Sequence, residues 1–286
     1  MPVKGLSTAM AAELTRWKLS LAVAFSAVTG YLVFAGDVHG SLLPAAVGVF
    51  LLSAGASALN QYTERMSDAL MERTAGRPLP SGRMDPVTAA MVAVLLLLSG
   101  SILLGLTGLL PMMLGLVNVF LYNAVYTGLK KVTSLAIIPG ALVGAVPPLI
   151  GYTAAGGMVT DTIILLFALF MFLWQMPHFW LLLARYGSEY EKAGIRTVYS
   201  SLNSDQIRRL VMVWIIGSSL LLWILTAISL PFPAHAAVLL LVLNIVFILL
   251  FHKIIQAPEA EQRSKNAFIL INSFSLLVMI ILIAMS

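Results

Sequence analysis

Every lysine and arginine in this 286-residue chain falls between, or at the edge of, alternate apolar windows. That arrangement restricts the possible folds more than any other feature. An α-helix needs about 20 predominantly apolar residues to cross a bilayer. Nine such windows occur, at 17–36, 41–62, 86–108, 111–128, 134–155, 161–184, 209–230, 234–252 and 266–285. Lys4, Arg16 and Lys18 lead into the first window, and Arg65, Arg73, Arg77 and Arg83 separate the second from the third. Lys130 and Lys131 lie between the fourth and fifth, and Arg185, Lys192, Arg196, Arg208 and Arg209 between the sixth and seventh. Lys253, Arg263 and Lys265 divide the eighth from the ninth. The intervening turns, near Asp37, Leu110, Asp161 and Pro233, carry no basic residue. Basic connections stay cytoplasmic, and a miscount by one helix would invert the pattern partway along. The expected fold is therefore an all-α polytopic membrane protein. Nine transmembrane helices form a bundle around a central cavity, with the N-terminus cytoplasmic and the C-terminus outside.

Composition agrees. Hydrophobic residues make up 60% and charged residues 10%, with mean hydropathy +0.97, so the bilayer is the main solvent. The formal charge of +5 follows from loop placement and does not point to nucleic acid. The absence of cysteine excludes disulfide and thiolate chemistry. The first window has no cleavage-site signature and reads as a retained helix, which favours a bacterial inner membrane. Long connections occur only on the cytoplasmic side, at 63–85, 185–208 and 253–265, and long ordered loops on one face tend to carry function. No linker or low-complexity stretch interrupts the chain, so 1–286 reads as a single domain.

The richest stretch is N-Q-Y-T-E-R-M-S-D-A-L-M-E-R-T-A-G-R-P-L-P, from Asn60 to Pro80. On a helix, steps of four keep Asn60, Glu64 and Asp68 on one stripe. Two carboxylates so spaced repel each other, unless a cation lies between them. Magnesium commonly binds through one or two carboxylates plus substrate phosphates. Arg73 and Arg77 follow, and guanidinium forks match phosphate oxygens. The stretch thus predicts a Mg²⁺ seat with anion clamps for a diphosphate at a membrane surface. The bland alternative is a wet loop whose ion pairs contribute little. The register of Asn60 and the R-T-x-x-R-P ending argue against it.

Two other segments carry candidate chemistry. At the end of the fourth window, Tyr126 and Lys130 lie one turn apart, suited to donate to a departing diphosphate, although positive-inside bias alone accounts for a lysine there. In the sixth, W-Q-M-P-H-F-W precedes R-Y-G-S-E-Y-E-K. Pro177 removes a backbone hydrogen bond and predicts a kink. Arg185 and Glu189 are an i, i+4 pair. Trp174, Phe179 and Trp180 are either aromatic walls for an allylic cation or ordinary membrane-helix aromatics.

The segment Asn60 to Arg83 resembles the first acidic motif of the UbiA-type intramembrane prenyltransferases. The likeness continues through Y-T-G-L-K-K-V-T (Tyr126 to Thr133), G-A-V-P-P-L-I-G-Y (Gly144 to Tyr152) and W-Q-M-P-H-F-W (Trp174 to Trp180). The last two are particular to the protohaem IX farnesyltransferase, or haem O synthase, branch. The resemblance implies farnesyl diphosphate as donor, haem B as acceptor and Mg²⁺ as cofactor, with the site on the cytoplasmic face. It implies Asn60, Glu64, Asp68 and Glu189 as metal-holding residues. Tyr126 and Lys130 would assist departure, and Arg73, Arg77 and Arg185 would bind the anion. His178 would serve the haem, through its iron, a propionate or a proton in transit. A haem A synthase or terminal oxidase assembly is the implied associate. Two departures stand out: Glu64 replaces the family's usual aspartate, and A-G-I-R-T-V-Y at Ala193 to Tyr199 replaces A-G-I-P-M-L-P. The competing readings are a UbiA-type enzyme with an aromatic quinone-precursor acceptor and a membrane transporter.

Overall fold

The computed structural model describes residues 7–198, 201–228, 234–257 and 260–286. Among them there is no strand, and nine helices are long and apolar enough to cross a membrane, the number that the charge pattern requires. A short α1 (Thr8–Thr15), capped by Ser7, precedes α2 (Trp17–Ala35) and α3 (Leu42–Asp68). A one-turn α4 (Glu72–Ala75) leads to α5 (Pro86–Gly105). Asp85 caps α5, with proline at its first turn. Next, α6 (Leu109–Phe120) continues through a π-helical turn (Leu121–Tyr126) into α7 (Thr127–Leu129). A 3₁₀ turn (Ser134–Ala136) opens α8 (Ile137–Ala154). The chain then forms α9 (Thr162–Lys192), α10 (Ser204–Ile228), α11 (Ala234–Ile255) and α12 (Ala260–Met285).

Two helices overrun their predicted ends. α3 reaches Asp68 rather than residue 62, and α9 reaches Lys192 rather than residue 184. Hydropathy falls where charges begin, whereas the backbone hydrogen-bond ladder needs no apolar side chain to continue. At ~1.5 Å per residue, their 27 and 31 residues span about 40 and 46 Å. A hydrocarbon core is roughly 30 Å thick. The surplus projects on the side of the basic connections and forms the frame of the site.

Without a hydrophobic drive between helices in lipid, close backbone approach holds such bundles together. The α2–α8 crossing depends on glycine. A Cβ at Gly151 would lie 1.7 Å from the Ala27 carbonyl oxygen, and one at Gly30 would lie 2.1 Å from that of Pro148. Elsewhere α9, α11 and α12 share an aromatic core, in which Phe247 and Phe274 stack at 4.1 Å and Trp174 packs 5.4 and 5.5 Å from them.

Candidate functional site

The polar stripe predicted on α3 is present and buried: Asn60 is 2%, Glu64 5% and Asp68 2% exposed. Each carboxylate is held by a cation. Lys130 Nζ donates to Glu64 Oε2 at 2.5 Å, and Arg77 Nη1 to Asp68 Oδ2 at 2.6 Å. Asn60 Nδ2 donates to Glu64 Oε2 (3.0 Å) and to Thr127 Oγ1 (3.1 Å). The Thr127 hydroxyl in turn donates to the Tyr122 carbonyl at 2.9 Å. This side-chain bond spans the π-helical turn, just beyond which Lys130 reaches Glu64 on α3. Such turns often occur at functional sites. Thr74 Oγ1, bonded to the Asp68 carbonyl at 2.8 Å, folds α4 back so that Arg77 reaches its partner.

Asn60, Glu64, Asp68, Arg77, Tyr126 and Lys130 line a cavity of about 220 Å³ together with Arg16, Met71, Arg73, Tyr122, Phe179, Trp180, Tyr190 and residues 195–198. Five cations (Arg16, Arg73, Arg77, Lys130 and Arg196) face two carboxylates there, a surplus that suits a polyanion. Burial pushes the Lys130 ammonium below its ordinary pKa despite the pull of Glu64, and pushes the Arg77 guanidinium down despite Asp68. The Arg73 guanidinium lies over the rings of Tyr186 (5.1 Å) and Tyr190 (5.9 Å). Tyr126 stacks with Tyr122 at 6.0 Å and packs 5.9 Å from Phe179, so one wall is aromatic.

Not every predicted site residue joins the cavity. Glu189 accepts from the Arg73 backbone N–H at 3.3 Å and is outside the lining, as is Arg185, whose guanidinium lies over Tyr186 at 5.1 Å. Among the described residues, no three His, Cys, Asp or Glu side chains converge on one point. What does fit a metal is the hard oxygen set of Glu64, Asp68 and the Asn60 amide, the donor chemistry that magnesium favours. His178 is also outside the lining. Its Nε2 lies 2.8 Å from Asn272 Oδ1 on α12, its Nδ1 3.2 Å from the Trp174 carbonyl, and Phe268 meets its ring edge-on. Trp174 is committed to the aromatic core, whereas Phe179 and Trp180 do line the cavity.

Arg16, read from the sequence only as an orienting charge, lines the cavity. It is the only non-glycine described residue with positive φ (46°) and breaks α1 from α2. Gln61, next to Asn60, fixes that break by donating to the Glu13 and Leu14 carbonyls at 2.9 Å each. A glutamine at the membrane edge was the available signal, but its partners are 47 and 48 residues away.

The profile of the UbiA prenyltransferase family matches residues 21–274. A protoheme IX farnesyltransferase of Geobacter sulfurreducens is 46% identical over 182 residues, covering 64% of this chain and 67% of that protein. A protein of the same name from Oleidesulfovibrio alaskensis is 37% identical over 229 residues, 80% of each chain. Among solved structures, a digeranylgeranylglyceryl phosphate synthase superposes with TM-score 0.74 at 18% identity, covering 97% of both chains. A UbiA homologue from Archaeoglobus fulgidus, bound to GPP and Mg²⁺, superposes with TM-score 0.72 at 12% identity, covering 96% of this chain and 99% of that one.

Proposed function

Because the chain belongs to the UbiA prenyltransferase family, we propose that it transfers a farnesyl group from farnesyl diphosphate to a vinyl group of haem B, giving haem O. The proposed setting is a bacterial cytoplasmic membrane with the site facing the cytoplasm, and the proposed recipient of the product is a haem A synthase or terminal oxidase assembly. The observation that carries the reaction type is the pair of buried carboxylates, each held by a cation, in the lining of a partly aromatic cavity. Support for the acceptor comes from the name shared by the relatives above.

In this reading Lys130, Arg77, Arg73 and Arg16 bind the diphosphate, and Tyr126 donates to it. The chemistry a divalent ion supplies, when held by Glu64, Asp68 and Asn60, is neutralisation of charge growing on the leaving group. The donor's C1–O bond breaks with its electron pair leaving on the diphosphate. The faces of Tyr122, Tyr126 and Phe179 stabilise the allylic cation, and the surrounding bundle keeps bulk water away. The vinyl carbon then bonds to the allylic carbon, and a single water traps the new cation, releasing a proton. Preorganised charge at the leaving group is where electrostatic catalysis is strongest.

The test uses protein in lipid nanodiscs with haem B, farnesyl diphosphate and Mg²⁺, followed by mass spectrometry. A hydroxyethylfarnesyl haem that disappears with EDTA and in Asp68→Ala is expected. Prenylation of 4-hydroxybenzoate with haem left unmodified would overturn the acceptor and keep the reaction type.

A further inference from the structure

The connection that leaves α9 is tied down rather than loose. Gly194 turns the chain at φ 74°, Ile195 N–H donates to the Tyr190 carbonyl at 2.9 Å, and Arg196 N–H donates to the Lys130 carbonyl at 2.8 Å. Thr197 Oγ1 adds a bond to Glu191 Oε1 at 3.3 Å. The result places residues 195–198 along the cavity; Tyr199, the last residue of the divergent A-G-I-R-T-V-Y segment, lies outside the described residues. The backbone bond to Lys130 requires an N–H at position 196, which proline cannot provide.

The Arg196 side chain is exposed, and among the described residues no carboxylate lies within ion-pair distance of it. Of the other cavity cations, Arg73 lies over the rings of Tyr186 and Tyr190. Lys130 and Arg77 pair with Glu64 and Asp68, and Arg16 acts through its charge on both Lys130 and Arg77. Arg196 is not among the principal charges acting on either. Its chain neighbours Ile195, Thr197 and Val198 line the cavity with it.

We propose that Arg196 binds a carboxylate of the prenyl acceptor and thereby sets which acceptors the cavity takes, while its backbone N–H holds Lys130 in place. The inference rests on the prenyl-transfer reading, and it applies to any acceptor with a carboxylate. The guanidinium fork matches a carboxylate in two parallel bonds. Haem B offers propionates and hydroxybenzoate offers its acid group, so both acceptors satisfy the same chemistry.

The experiment compares wild type, Arg196→Ala, Arg196→Lys and Arg196→Pro in nanodiscs, with haem B and its dimethyl ester as acceptors. A bond to a charged group is worth enough to raise KM by about tenfold or more when lost. Arg196→Ala is expected to raise the haem KM by that factor, with the farnesyl diphosphate KM and the ester's KM unchanged. Arg196→Lys is expected to fall between, keeping charge without the fork. Arg196→Pro is expected to lower kcat as well, because the tether to Lys130 is lost. An unchanged haem KM in Arg196→Ala, or a rise in the donor KM instead, would overturn the inference while leaving the haem reading intact. If wild type prenylates 4-hydroxybenzoate and not haem, the haem reading falls, and Arg196 is judged by the same criteria on hydroxybenzoate against its methyl ester. If neither acceptor reacts or quenches tryptophan fluorescence, both fall.

Discussion

Replacing Glu64 by glutamine keeps the shape of the side chain and removes its charge. Glu64 Oε2 receives Lys130 Nζ at 2.5 Å and Asn60 Nδ2 at 3.0 Å. The Glu64 side chain is 6% and that of Lys130 14% exposed, so the variant leaves an ammonium buried without its partner. Removing one member of a buried pair costs about 3–5 kcal/mol. At roughly 2–4 °C per kcal/mol for a chain of this size, the apparent Tm in detergent with EDTA should drop by about 6–20 °C near pH 7. Burial already holds the Lys130 pKa below that of the unfolded chain, and loss of Glu64 lowers it further. An amine that binds its proton less well when folded costs stability below the folded pKa, and that cost fades as pH rises toward the unfolded value. The deficit of Glu64→Gln should therefore narrow between pH 7 and about 10. Adding Lys130→Met should restore more than half of it at pH 7. A Glu64→Gln protein as stable as wild type, a deficit that grows with pH, or a double variant no better than the single would refute the argument that the pair is a buried charge couple.

Three further outcomes follow from packing and hydrogen bonding. Gly151→Val should abolish the folded bundle, read as loss of the monodisperse peak in size-exclusion chromatography, because its Cβ would meet the Ala27 carbonyl at 1.7 Å. Gln61→Leu leaves the Leu14 carbonyl without its side-chain donor and the Glu13 carbonyl with only the Arg16 N–H at 3.4 Å. It should cost about 1–3 kcal/mol and raise the KM for farnesyl diphosphate through displacement of Arg16. Trp174→Ala should destabilise by about 3–5 kcal/mol through the core with Phe247 and Phe274, while the substrate KM values of the surviving folded fraction stay unchanged.

The legible parts of this molecule were those with local signatures. Apolar length and alternating basic connections give the helix count, and the i, i+4 register gives the Asn60, Glu64 and Asp68 stripe. Lys130 and Arg77 were legible as cations near a diphosphate, but their pairing with those carboxylates joins positions 66 and 9 residues apart, which periodicity does not encode. His178 shows the limit most clearly. Its motif points to a ligand, yet its Nε2 partner is Asn272, 94 residues away on α12. Trp174 and Trp180 share one buried core, yet only Trp180 also borders the cavity, because Phe247 of α11 and Phe274 of α12 pack against Trp174. The αL break at Arg16 depends on Gln61, so no local rule for positive φ predicts it.

The overrun of α3 makes bilayer thickness a variable of the chemistry. One unbroken 27-residue helix both crosses the membrane and carries Glu64 and Asp68 beyond its apolar part. Thickening the hydrocarbon region cannot be absorbed in a flexible joint, because the span and the charged stripe are a single rod. The bundle must straighten, or the lipid must thin locally, each at a fraction of a kcal/mol per Å. Under the proposed function, either response is expected to shift the depth at which the isoprenoid donor meets the diphosphate seat proposed on that rod. Acyl-chain length is thus expected to act on this protein as an adjustable spacer between the greasy and the charged ends of one molecule.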